Sequence, residues 1–126
     1  DIIGISSCPE INTLIEARDL VSFSRARNFK DIWLIAPPFH QLRAFMTTVS
    51  VALREFPELR IYNRVADPLD WNEVGIHSQG IVKGHRFQFL HSEWQRIERY
   101  SDKGDIAPIE QILAYLKWRD SEQKDY

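Results

Sequence analysis

The feature that most narrows the fold is "DIWLIAPPF", in which Pro37 and Pro38 follow directly on a short β-forming run. Asp31 to Ala36 is too short for a helix and rich in branched and aromatic side chains, so it reads as a strand buried on both faces, as in parallel sheets. The prolines remove two successive backbone donors and ladder pairing must stop there, whereas a proline suits the start of a helix. Strand therefore gives way to helix within a few residues, and His40 and Arg43 stand at that junction.

The flanking segments carry their own periods. "NTLIEARDLVSFSRARN" reads as a helix: Thr13 and Glu16 are spaced as a capping box, Leu14, Ala17, Leu20 and Val21 supply an apolar face, and Asn28 suits a left-handed cap at the end. Phe39 to Glu55 has apolar residues at 39, 42, 45, 46, 49, 52 and 53, which predicts a helix packed on the sheet. A second strand is expected from Leu59 to Ala66, ending at the turn signal Asp67-Pro68. Asn72 to Gly84, with three glycines and no strong period, reads as a loop. Two amphipathic helices follow, over about 85–102 and from Pro108 to about Arg119.

This order predicts an α/β fold, a Rossmann-like three-layer parallel sheet with flanking helices that is incomplete at its N-terminus. With 126 residues, 44% of them hydrophobic, the chain suits a single α/β domain spanning 1–126, or the C-terminal part of a larger domain. Two strands alone make a marginal sheet. Further strands are expected from residues before Asp1, from a partner chain, or from a segment read as loop.

Sixteen basic and eighteen acidic residues leave a net charge of −2, so no overall field attracts a polyanion and nucleic acid is not the expected partner. The single cysteine, Cys8, cannot form an internal disulfide, and no spacing of Cys and His matches a zinc site. His77, His85 and His91 with Glu93 match no strong ligand pattern either, and no cofactor motif is identified. No apolar stretch approaches the roughly 20 residues of a membrane span.

In an open α/β sheet, ligands collect beyond the carboxyl ends of the strands. His40 and Arg43, spaced i and i+3, share one helix face at such an edge, and the positive end of the helix dipole adds to their charge. An anion, phosphate or carboxylate, is the expected ligand. The same two residues would serve equally well to cap the helix, to pair with a carboxylate, or to face solvent. Asp67, after the second strand, is placed to orient an imidazole or bind a ribose hydroxyl, or simply to make an Asp-Pro turn. Glu93, Arg96, Glu98 and Arg99 read as a solvated, ion-paired helix face. Trp71, Trp94 and Trp118 read as packing residues, since no basic stripe tracks them.

Two patterns, "NTLIEA" at 12–17 and "IWLIAPPFHQLRA" at 32–44, resemble the YdcF/SanA/ElyC-like family, a bacterial domain of unknown function, in its Asn-Thr-x-x-Glu-Ala helix start and its strand, turn and His-x-x-Arg-Ala. The likeness covers about residues 10–70. It implies a Rossmann-like fold, a nucleotide-like ligand, and a bacterial envelope role, either cytoplasmic or membrane-associated through a segment outside this sequence. It also implies a pocket bordered by Asn12, Thr13, Glu16, His40 and Arg43. Ala36, Pro37 and Pro38 stand where the family has Thr-Ser hydroxyls before its histidine, Glu10 and Ile11 where it often has Ser-Arg, and the family's Gly-rich loop would precede Asp1.

Together these features predict a domain that binds an anionic or nucleotide-like small molecule, with Arg43 neutralising charge and His40 as donor or general acid/base. Phosphate-group transfer or hydrolysis is the chemistry such a pair would serve. The alternative is a non-catalytic binding or interaction module of the same fold with a degenerate site, and a third is an unrelated sugar or nucleotide enzyme.

Overall fold

The computed structural model describes residues 12–64, 74–77, 82–85 and 88–121. The first helix, α1 (Thr13–Ala26), is capped by Asn12, whose Oδ1 accepts the Ile15 N–H at 3.0 Å. Capping one residue earlier than expected puts Ile15 rather than Glu16 at the third helical position, so no capping box forms. At the other end Asn28 takes φ 55°, as its residue type favours. The Phe29 N–H then reaches Ser24 O at 2.9 Å and the Asn28 N–H reaches Arg25 O at 3.1 Å, the two bonds of a Schellman close.

The chain continues through β1 (Asp31–Leu34), α2 (Gln41–Glu55) and β2 (Arg60–Asn63). The two strands pair in parallel, with Ile32 opposite Ile61 and Trp33 opposite Tyr62, and α2 is the crossover between them. Next come β3 (Val74–His77) and β4 (Val82–His85), paired antiparallel as a separate hairpin. This hairpin replaces the loop expected at 72–84. Gly75 and Gly84 pair across it and contribute no side chains, which erased the alternation that marks a strand. Because His85 belongs to β4, α3 (Phe89–Asp102) begins later than predicted; α4 (Ile109–Ser121) closes the described chain. No described helix is long and apolar enough to cross a membrane.

The second helix is the centre of the molecule. Residues Arg43 to Ala52 are buried without interruption, because α1, β2, α3 and α4 all pack against α2. An apolar stripe assumes one packed face, and α2 has several. Leu42, expected inward, is 47% exposed, while Arg43, expected to look outward, is 1% exposed. Buried hydroxyls on α2 are satisfied locally: Thr48 donates to Ala44 O at 2.7 Å and Ser50 to Met46 O at 2.6 Å, and Ser50 Oγ accepts the Ala107 N–H at 2.7 Å. Around α2 the core is aliphatic, with Val21, Val49, Val51, Leu59 and Ile61 fully buried, each worth about 1.5–3 kcal/mol by transfer from water.

The predicted three-layer Rossmann-like parallel sheet is not what the chain forms. Among the described residues the fold is small and rich in helix, with a two-stranded parallel sheet and a separate two-stranded antiparallel pair. The outer edge of β2 is occupied by side chains of α4: the Tyr115 hydroxyl accepts the Ile61 N–H at 2.8 Å and donates to Leu59 O at 2.7 Å, and Arg119 Nη1 donates to Ile61 O at 2.8 Å. These bonds use the groups to which a third strand would pair. Nor is β1 buried on both faces. Ile32 is buried, but Trp33 is 64% exposed and Ile35 58%. Trp33 instead stacks on Tyr62 at 5.2 Å, with Arg119 over the other ring at 4.8 Å.

Candidate functional site

The first turn of α2 is held in place by Gln41. Its Oε1 accepts the Ala36 N–H at 2.9 Å, and its Nε2 donates to Leu34 O at 3.0 Å and Asn63 Oδ1 at 2.7 Å, tying the ends of both strands to the helix start. Pro37 O accepts the His40 N–H at 2.8 Å, which closes the turn. His40 is the N-cap residue but makes no side-chain cap, so its ring is available elsewhere.

Both predicted residues meet on one carboxylate that the sequence had placed in solvent. Arg43 donates from Nε to Glu93 Oε2 and from Nη2 to Oε1 at 3.2 Å, a bidentate pair, and from Nη1 to Thr13 Oγ1 at 3.1 Å. His40 Nδ1 lies 3.2 Å from Glu93 Oε2. An ionised carboxylate only accepts, so this contact requires the proton on Nδ1. Arg96 Nη1 adds a looser ion pair to Oε1 at 3.8 Å. Glu93 is 3% exposed. A charge so buried is tolerated only with partners: Arg43 of α2, His40 at its N-cap and Arg96 of α3 provide them, and Thr13 of α1 in turn holds Arg43.

On the far side of Arg43 lies a cavity of about 180 Å³, lined by Asn12, Thr13 and Leu14 of the α1 start, Arg43 and Thr47 of α2, and Tyr100, Lys103 and Asp105. Two cations approach the Tyr100 ring, Arg43 Cζ at 5.9 Å and Lys103 Nζ at 5.6 Å from its centre. Thr47 is 4% exposed, and its hydroxyl makes no hydrogen bond with a described residue. Since no fully buried side-chain nitrogen or oxygen among the described residues lacks a partner, that hydroxyl opens onto the cavity. Lys103 and Asp105 form no ion pair with each other or with another described residue.

Of the predicted site residues, Asn12, Thr13 and Arg43 line the cavity, and His40 does not. His40 and Arg43 are neighbours, as their spacing required, but they share Glu93 rather than an open crevice. Glu16 is half-buried one turn along α1 and is not part of the lining. Asp67 lies outside the described residues, as do Cys8 and Trp71. Among the described residues no group of three His, Cys, Asp or Glu could hold a metal ion.

Sequence reasoning missed Glu93, Thr47, Tyr100, Lys103 and Asp105. For Glu93 a signal existed: Phe89, Glu93 and Ile97 recur at intervals of four and are the buried residues of α3, so a carboxylate sits on the apolar stripe. Thr47 carried no such mark, being one polar residue among several on a helix buried all round.

Comparison of the chain with protein families, with curated proteins and with solved structures found no match.

Proposed function

We propose that the chain is a binding module for a small anionic group, a phosphoryl or carboxylate, held in the cavity at the start of α1. The observation that carries this reading is the composition of one wall: Arg43, Lys103 and the first residues of a helix line the same small space. The Asn12 cap takes the Ile15 N–H, while the first amides of α1 and its positive dipole end favour negative charge. The Thr13 and Thr47 side chains add hydroxyls. A cavity of about 150 Å³ holds a six-carbon ring. The space here suits a ligand slightly larger than that, so of a nucleotide only the phosphoryl end would enter.

The non-catalytic alternative is favoured over phosphoryl transfer. His40, the expected general acid/base, faces Glu93 and is outside the lining, and in this reading it positions the carboxylate that aims Arg43. The resemblance to the YdcF/SanA/ElyC-like family supports a ligand at this place in the chain, since Asn12, Thr13, His40 and Arg43 carry the likeness. An anion that binds only the native state stabilises it by linkage, by about 2.7 kcal/mol at a hundredfold excess over Kd, and so raises the melting temperature. Inorganic phosphate, pyrophosphate, acetate and ethyl phosphate form the test panel, read by thermal shift and calorimetry. Stabilisation lost in Lys103→Ala is the expected result; no shift from any of them would overturn the proposal.

A further inference from the structure

The cavity contains charge of both signs, which an anion alone does not use. Lys103 and Asp105 both line it, yet they do not pair with each other or with another described residue. Lys103 is exposed and Asp105 half-buried, so neither charge is obliged to pair within the protein and each can be turned to a ligand. Both charges therefore remain available at the cavity to a ligand that carries its own opposite charges. The Asp105 N–H is bonded to Tyr100 O at 2.9 Å at the end of α3, so the loop that carries the carboxylate is anchored beside the ring that lines the cavity. Thr47, 4% exposed and with a hydroxyl that has no described partner, adds a neutral donor and acceptor to the same lining.

Resting on the anion-binding reading above, we infer that the ligand is a small zwitterion of the amino-acid or aminoalkyl-phosphate class. Its acidic group sits against Thr13, Leu14 and Arg43 at the start of α1, with Lys103 at its side. Its ammonium group is held by Asp105. The size of the cavity limits the class to molecules not much larger than a six-membered ring, which excludes peptides and nucleosides. No covalent step is involved.

Matched pairs that differ only in the ammonium group test this directly. Affinities of β-alanine and propionate, and of phosphoethanolamine and ethyl phosphate, are measured by calorimetry on the whole chain and on Asp105→Asn. The expected result is that each zwitterion binds wild type about fivefold more tightly than its plain anion, the yield of an ion pair at the upper end of the half-exposed range. In Asp105→Asn the advantage of each zwitterion over its plain anion disappears, and the plain anions bind no more weakly than to wild type. Equal affinities within each pair on wild type would overturn the zwitterion and leave the anion site standing. Absence of binding by all four ligands would overturn both. Because the wild-type comparison needs no variant, a folding defect in Asp105→Asn does not protect the proposal.

Discussion

Replacing Glu93 tests the central physical claim, that one buried carboxylate ties α3 to the start of α2. Glu93 is 3% exposed and faces Arg43, itself 1% exposed, through two hydrogen bonds, with His40 Nδ1 at 3.2 Å and Arg96 at 3.8 Å. In Glu93→Ala the Arg43 guanidinium keeps its Thr13 bond but loses the buried charge that balances it. Removing one partner of a buried pair costs about 3–5 kcal/mol, most of it the uncompensated charge left behind. In a domain of this size that corresponds to a melting point lower by roughly 10–20 °C. Urea unfolding followed by far-UV circular dichroism measures the loss, with the slope unchanged if the native and unfolded states keep their exposed areas. The pair's own net value is a different quantity: Arg43→Met with Glu93→Leu removes both charges and their desolvation cost, and should recover to within about 2 kcal/mol of wild type. A Glu93→Ala loss below about 1 kcal/mol, the range of surface ion pairs, would refute the buried-hub reasoning. So would a double variant as unstable as the single one, since the cost would then lie in packing rather than in charge.

Further outcomes follow from other parts of the fold. Tyr115→Phe strips the hydroxyl from between Leu59 O and the Ile61 N–H and should cost about 2–4 kcal/mol in urea unfolding, the penalty of leaving buried backbone groups unbonded. Burial pushes the Tyr115 phenol from 10.0 to about 12, so the folded chain retains a proton that the unfolded one releases. Stability from this group is complete below pH 10 and falls as pH rises toward 12, by about 3 kcal/mol in all, and the decline should be missing in Tyr115→Phe. Asn12→Ala, which removes the α1 cap, should lower stability by about 1 kcal/mol. Asn28→Ala should cost a similar amount, about 1 kcal/mol, because φ 55° penalises a Cβ that has no local polar compensation; Asn28→Gly should be close to neutral in the same melt.

Local features were legible to the extent that their causes are local. The apolar spacing of Leu14, Ala17 and Val21 marked α1, and Asn28 was read correctly as its left-handed close. Pro37 and Pro38 lie in the turn between β1, which stops at Leu34 rather than Ala36, and α2, and a helix over Ile109–Ser121 lies close to the predicted stretch. Where the neighbours decide, the reading failed. "DIWLIA" looks buried on both sides because Trp33 and Ile35 are apolar, but apolar side chains are also left exposed, and here the outward residues stack or face solvent. Arg43 reads as a cation aimed at an anion beyond the strand ends, with a carboxylate partner as one alternative, and no property of the residue itself announces which carboxylate, fifty positions away, it meets.

What the sequence determined by itself is the succession helix, strand, helix, strand up to β2, the two later helices, and the placing of His40 and Arg43 side by side at a helix start, since periodicity, capping and proline geometry act over a few residues. Only the tertiary structure decided how many strands the parallel sheet has and what the two side chains face. Tyr115 and Arg119 fold back to claim the open edge of β2, and Glu93 arrives from α3 to meet Arg43. Backbone groups at a strand edge and a charge inside a protein must each find a partner, and which partner lies within reach is settled by packing across the chain, not along it.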